Sequence, residues 1–364
     1  MTQHDGGRPL YGPPPGWGRP AGESSEPYAV PQRWSSTHSG LPTGQSEPYA
    51  VPQRWSSTPS GLPTGPSTYP MFWRTLASTV GGRFQGIFVA LVGLLVATLA
   101  SGALTSVAYI LVGDSLAAWL GDTTAGVVLI TLAASALAFA PLVFLAFLAA
   151  MIVRQEGRWL HSVAGRVRWG WALQCLAVGL VAALAWIGMG AIAGSPFLTS
   201  SGTLDWWLFP VVLILLLVTA TGGEYMLRGV LNRGVASLVP WPGVGAVLGA
   251  VVSSFVNVLM SSVVFIYTGD GWGAAAVLVL GLLLAFIVWH TGGLEAAVAM
   301  SLASGLISYA PLFGPGLQDV AGLSLGLPAA IARLAPMIVI AGIITLMARA
   351  QGVQRTASPD AITH

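Results

Sequence analysis

A chain of 364 residues with 8% charged and 54% hydrophobic side chains cannot clothe a soluble globule, whose surface needs about 25% charged residues. The formal net charge of +2 comes from 15 basic residues, all arginine, against 13 acidic ones, and no basic cluster suits a nucleic-acid groove. The single cysteine, Cys175, excludes a disulfide framework or a thiolate metal cluster within the chain. The absence of lysine, with abundant Ala, Gly, Leu and Val, points to a GC-rich bacterial coding sequence.

Residues 1–70 read as a disordered, Pro/Gly/Ser-rich cytoplasmic tail with no apolar h-region and hence no signal peptide. Within it the decapeptide from Ser25 to Trp34 returns from Ser46 to Trp55. Proline at that density blocks helix and central strand and favours polyproline II. The repeat is either a tandem motif for a cytosolic partner, anchored by Tyr28/Trp34 and Tyr49/Trp55, or a duplicated linker.

Residues 71–348 read as an all-α, polytopic transmembrane bundle, followed by a short cytoplasmic tail over 349–364. Apolar runs occupy 84–112, 125–153, 169–193, 206–222, 243–267, 273–289, 294–310 and 329–347. Most reach the ~20 residues that cross a ~30 Å hydrocarbon core; 294–310 is short and needs flanking residues or local thinning. About eight spans result. Pro141 and Pro210 are candidate kinks in the second and fourth.

Arginines at Arg74, Arg83, Arg154, Arg158, Arg166, Arg168, Arg228, Arg233, Arg349 and Arg355 fall on one side if both ends are cytoplasmic. The alternate loops carry Asp114, Asp122, Asp205, Asp270 and Asp319 and no arginine. That asymmetry predicts a multi-pass protein of the cell membrane with both termini in the cytosol. Trp73, Trp159, Trp169, Trp206, Trp207, Trp241, Trp272 and Trp289 read as interfacial anchors. Gly190/Gly194 and Gly245/Gly249 have the spacing that lets helices approach closely.

Ionisable groups at membrane depth are the candidates for function, because each costs about 2.5–3.5 kcal/mol at a helix centre. Glu224 and Arg228 lie one turn apart at the end of the fourth run and can pair. Glu295 opens the seventh run, where a carboxylate meets the helix dipole. Asn257 with Ser253, Ser254, Ser261 and Ser262 forms a polar strip in the fifth; Ser301 and Ser304 lie in the seventh. Each group also has a purely architectural reading, as ion pair, interhelical hydrogen bond or small packing residue.

The order of these segments resembles the CAAX-processing and bacteriocin-processing (CPBP) intramembrane protease family over roughly 206–310. Glu224-Tyr-Met-Leu-Arg228-Gly229 resembles its E-E-x-x-x-R-G motif. The helix with Ser253-Ser254 resembles F-x-x-x-H, and Thr291 to Ala299 resembles the approach to H-x-x-x-N. The resemblance implies that the first glutamate activates water and that the histidines are catalytic or stabilise the oxyanion; some descriptions call these enzymes metalloproteases. Here the first glutamate position is Gly223, the second motif falls on Asn257 and Ser261, and the third on Ser301 and Gly305. Glu224, Arg228 and Gly229 match.

A serine hydroxyl neither titrates near neutrality nor binds metal well, and none of the five histidines (His4, His38, His161, His290, His364) falls inside a run. No metal site and no cofactor are therefore expected. Three readings stand: an inactive protease homologue (a pseudoprotease) that binds a transmembrane or lipidated peptide between the fourth, fifth and seventh helices; an active endopeptidase with Glu224 as base, assisted by Glu295 or Asn257; and a membrane transporter. Beyond the bilayer, such a peptide and a cytosolic partner of the repeat are the expected partners, and no nucleic acid.

Overall fold

The computed structural model describes residues 67–74, 78–120, 123–192, 208–268, 271–309 and 327–357. The tandem repeat with its Tyr/Trp pairs lies outside the described residues, as do Trp206, Trp207, Gly194, Asp122, Asp205, Asp270, Asp319 and the side chain of Ser262.

Eight helices account for nearly all of the described chain. They are α1 (Val80–Leu120), α2 (Thr123–Ile152), α3 (Trp169–Ile192), α4 (Phe209–Leu238), α5 (Pro242–Thr268), α6 (Gly271–Thr291), α7 (Glu295–Tyr309) and α8 (Leu327–Ala350). Each grows out of one of the eight apolar runs, so the chain is the expected all-α, multi-pass bundle. Seven are long and apolar enough to cross a membrane. The exception is α7, whose 15 residues span only about 22 Å. Large apolar side chains face outward, among them Ile110 at 80% and Leu111 at 73% exposure. Water would not tolerate such a stripe; acyl chains do.

Two prolines behave differently. Pro141 lies inside α2, as a kink requires. Pro210 sits in the first turn of α4, where its missing N–H has no partner to lose, so it starts that helix instead of bending it.

The fourth helix is longer than its apolar run because it continues through Tyr225–Asn232 as a π-helix before returning to α geometry at Arg233–Leu238. Arg228, expected one turn from Glu224, and Arg233, which follows the apolar run, therefore both lie on this helix. Both are buried, at 1% and 0% exposure. The expected close approach at Gly245/Gly249 is made against this segment: a Cβ at Gly249 would stand 2.5 Å from the carbonyl and side-chain oxygens of Asn232.

One face of the bundle carries a polar layer that ties distant parts of the chain together. Ser67–Thr68 (β1) pairs antiparallel with Thr356–Ala357 (β2), so the segments leading into α1 and out of α8 meet. The α2–α3 loop docks on the α6–α7 turn through Val163 N–H to the Gly292 carbonyl (2.8 Å) and Leu294 N–H to the His161 carbonyl (2.9 Å). Gly292 holds φ +66° there, which glycine adopts without steric cost. Beneath the layer, the Arg233 guanidinium lies 3.6 Å over the Tyr69 ring. It donates to the Trp159 carbonyl (2.6 Å) and to Gln155 Oε1 (3.2 Å), while Gln155 Nε2 donates to the Phe72 carbonyl.

Trp73 and Trp159, expected at the membrane edge, are instead buried in this knot. Trp169, Trp241, Trp272 and Trp289 are exposed, as anchors are.

The Gly249 contact is open to test. Gly249→Leu forces α5 off the π segment and is expected to cost about 1–3 kcal/mol by overpacking. Gly243→Leu, at a position with nothing within 4 Å, serves as control. The readout is the thermal unfolding midpoint in detergent; equal midpoints for the two variants would refute close packing at Gly249.

Candidate functional site

Glu224 ends the α-helical part of α4, and its carboxyl group points into the bundle at 4% exposure. Oε1 accepts hydrogen bonds from Arg228 Nη1 at 3.1 Å and from Ser301 Oγ on α7 at 2.6 Å. Arg228 spends a second nitrogen, Nη2, on the Gly281 carbonyl of α6 (3.2 Å). Gly281 in turn abuts Ser254 of α5, where a Cβ on the glycine would meet Ser254 Oγ at 2.8 Å. Four helices thus converge on one ion pair. Glu224 Oε2 is buried and accepts from no described residue.

Of the expected positions, the structure joins Glu224, Arg228 and Ser301. Asn257 and Ser261 are not bonded to them: Ser261 Oγ turns back to the Asn257 carbonyl, 3.1 Å away on its own helix. The serine of α5 that reaches the Arg228 surroundings is Ser254, one turn earlier. Gly223 leaves ordinary space, since a Cβ there would come no nearer than 3.9 Å to Phe139. Gly305 packs on Leu216, with room for a Cβ only at 3.0 Å from it, so it serves helix contact.

Glu295 stands apart from this group. Its carboxylate takes a two-pronged ion pair from Arg168, with Nε to Oε1 at 2.9 Å and Nη2 to Oε2 at 2.8 Å. The Arg168 backbone N–H adds a third bond at 3.1 Å, and Arg168 Nη1 reaches the Thr291 carbonyl (2.9 Å). The expected dipole partner of α7 is thus also the clamp that fixes the α2–α3 loop to the α6–α7 turn.

A cavity of about 310 Å³ opens beside Glu295, between α3, α4 and α7, with Thr221, Tyr225, Val298 and Leu176 among its walls. His161 closes one end, its Nδ1 hydrogen-bonded to the Tyr225 hydroxyl. Sequence reasoning missed this group because His161 lies in a loop, 64 positions from Tyr225, and no spacing rule links them. Burial, the largest cause, holds the imidazole below its ordinary pKa; Arg233 adds to that and Glu295 opposes it.

The donors around Glu224 do not fit a divalent metal: beside the single carboxylate stand a cationic guanidinium and a neutral hydroxyl. Among the described residues, no three His, Cys, Asp or Glu side chains come together as a metal site would need.

Two measurements probe these groups. Arg228→Met strands a carboxylate inside the bundle and is expected to cost about 3–5 kcal/mol, while adding Glu224→Gln restores much of that loss. Unfolding of the four variants in detergent gives the cycle, and strictly additive losses would show that the pair is not coupled. For His161 the sign follows from its lowered pKa: the unfolded chain takes up a proton at higher pH than the folded one. Stability is therefore complete above about 6.5 and falls as pH drops. His161→Gln is expected to flatten the acid limb of Tm against pH, and a limb unchanged by the substitution would sink the assignment.

A family model described as "Type II CAAX prenyl endopeptidase Rce1-like" matches residues 205–305, the stretch that holds Glu224, Arg228, Asn257, Ser261, Ser301 and Gly305. Neither the curated proteins nor the solved structures give a match. Over residues 205–305, with the ion pair at the crossing of α4, α5, α6 and α7, the chain is similar to the CAAX-protease (CPBP) family of membrane proteins.

Proposed function

We propose that this CAAX-protease-like membrane protein binds a transmembrane or lipidated peptide and does not cleave it. One observation carries the reading: Glu224 Oε1 is occupied by Arg228 and by the Ser301 hydroxyl, at the position where the resemblance calls for an imidazole. Peptide hydrolysis needs a base able to take a proton from water and donors for the oxyanion. The carboxylate oxygen is already engaged by a guanidinium, and a serine hydroxyl does not titrate in the working range. Glu224 Oε2 remains an acceptor without a described partner, which suits the N–H of a bound chain better than the activation of water.

On this reading the protein lies in the cell membrane with both ends in the cytosol. The β1–β2 pairing supports this, since flanks that meet on one face require an even number of crossings. Seven long helices alone would separate them; a crossing by the short α7, whose N-terminal end is held in the polar layer, restores the parity. Arg154, Arg158, Arg166 and Arg168 belong to the loop on that same face, as cytoplasmic arginines do. On this reading the tandem repeat of the N-terminal tail is exposed to cytosolic partners.

The test is a proteolysis assay with the purified full chain in liposomes, offering a prenylated reporter peptide and a transmembrane peptide. No turnover above empty liposomes is expected, together with saturable peptide binding that Glu224→Ala weakens. Cleavage by the wild-type chain that disappears in Glu224→Ala would overturn the proposal.

A further inference from the structure

The α2–α3 loop and the first turn of α3 frame an open cleft of about 720 Å³ lined by Arg158, Arg166 and Arg168. It shares His161, Val167 and Trp169 with the cavity beside Glu295. The two adjoin along these residues, so a cationic cleft borders, past Leu173, Leu176, Leu217 and Val298, an apolar slot between α3, α4 and α7.

The charges at the mouth do not cancel. Arg168 is committed to Glu295. Arg158 pairs with Glu156, but those side chains are 51% and 40% exposed, and a pair that wet holds its partner weakly. Arg166 is exposed and forms no ion pair among the described residues. Three arginines thus face two glutamates, leaving one positive charge. The N-terminus of α3, with no acidic residue in its first turn, adds its positive dipole end. The slot opens sideways, since Leu173 in its wall is 61% exposed and Trp169 at its rim 71%.

We propose that this recess seats a glycerophospholipid of net charge −1 from the leaflet on the arginine side. Its phosphate lies against Arg158, Arg166 and the start of α3, and part of one acyl chain lies in the slot. At about 310 Å³ the slot is near the small end of ligand cavities, roughly 300–1,000 Å³, so it takes one chain and leaves the other in the bilayer. A peptide backbone would leave most of its N–H and C=O groups unpaired against these apolar walls; a hydrocarbon chain has none to satisfy. The site is separate from the α4–α5–α7 groove of the proposed peptide, and either can fail without the other.

The full chain, delipidated in detergent, is offered phosphatidylglycerol or phosphatidylcholine with identical acyl chains, and retained lipid is read by native mass spectrometry. One phosphatidylglycerol per chain is expected in preference to phosphatidylcholine. Arg158→Gln/Arg166→Gln, both on exposed side chains, is expected to weaken its retention by about 30-fold. Val298→Phe narrows the slot and is expected to weaken it as well; if that variant does not fold, the arginine pair decides. Equal retention of the two lipids, or retention unaffected by the arginine substitutions, overturns the site. Displacement of the lipid by glycerol 3-phosphate at equal concentration also overturns it, since the slot would then contribute nothing.

Discussion

Two guanidinium groups, those of Arg228 and Arg233, are enclosed on a single helix, and the rest of the architecture is arranged so that neither is left without acceptors. Burying a charge away from water costs several kcal/mol unless partners replace the lost hydration. Arg228 takes Glu224 and the Gly281 carbonyl. Arg233 takes the Trp159 carbonyl, Gln155 and the face of Tyr69. The second set includes no carboxylate. A cation satisfied by carbonyls, an amide and a π face demands that all three be held in place, and the polar layer does so: Tyr69 donates to the Leu160 carbonyl and Gln155 to that of Phe72. The segment before α1 is thereby fastened to the loop after α2.

The same helix divides the chemistry of the protein between two of its faces. Glu224 looks toward α6 and α7, where Arg228 and Ser301 meet it. Tyr225, the next residue, looks toward α3 and the cavity that His161 closes. Neighbouring positions on a helix diverge by about 100°, so carboxylate and imidazole end on different sides of α4. The fold does bring a histidine from a distant loop to the residue beside Glu224, yet the imidazole is bonded to a phenol instead of facing the carboxylate. Proximity in the fold is not the geometry that general base catalysis needs.

Much of this was legible in the residues, and the parts that were not have identifiable causes. Each apolar run became a helix, because in lipid a backbone has few other ways to satisfy its hydrogen bonds. The glutamate–arginine pair followed from its i, i+4 spacing, and the glycine pair at 245 and 249 did mark a tight contact. The i, i+4 pair carried α4 as far as Arg228, but its continuation through Asn232 to Leu238 and its π geometry were not legible, since Asn232 and Arg233 lie beyond the apolar run. Its helicity depends on partners from Trp159, Gln155 and Gly281, far along the chain. Trp73 and Trp159 were misplaced for a related reason. An indole near a membrane edge is an anchor only if no other chain segment covers it, and the polar layer covers both.

By the resemblance, Ser301 stands where an imidazole is called for, and the surrounding packing bears on that difference. A histidine in that place would have to share the interior with Arg228, one cation beside another whenever it took a proton, and the carboxylate would serve both. With serine the network closes locally: the hydroxyl donates to Oε1, and Arg228 pairs with the same oxygen. The ion pair of α4 thus ties helices together, while His161 lies elsewhere, along the cavity between α3, α4 and α7.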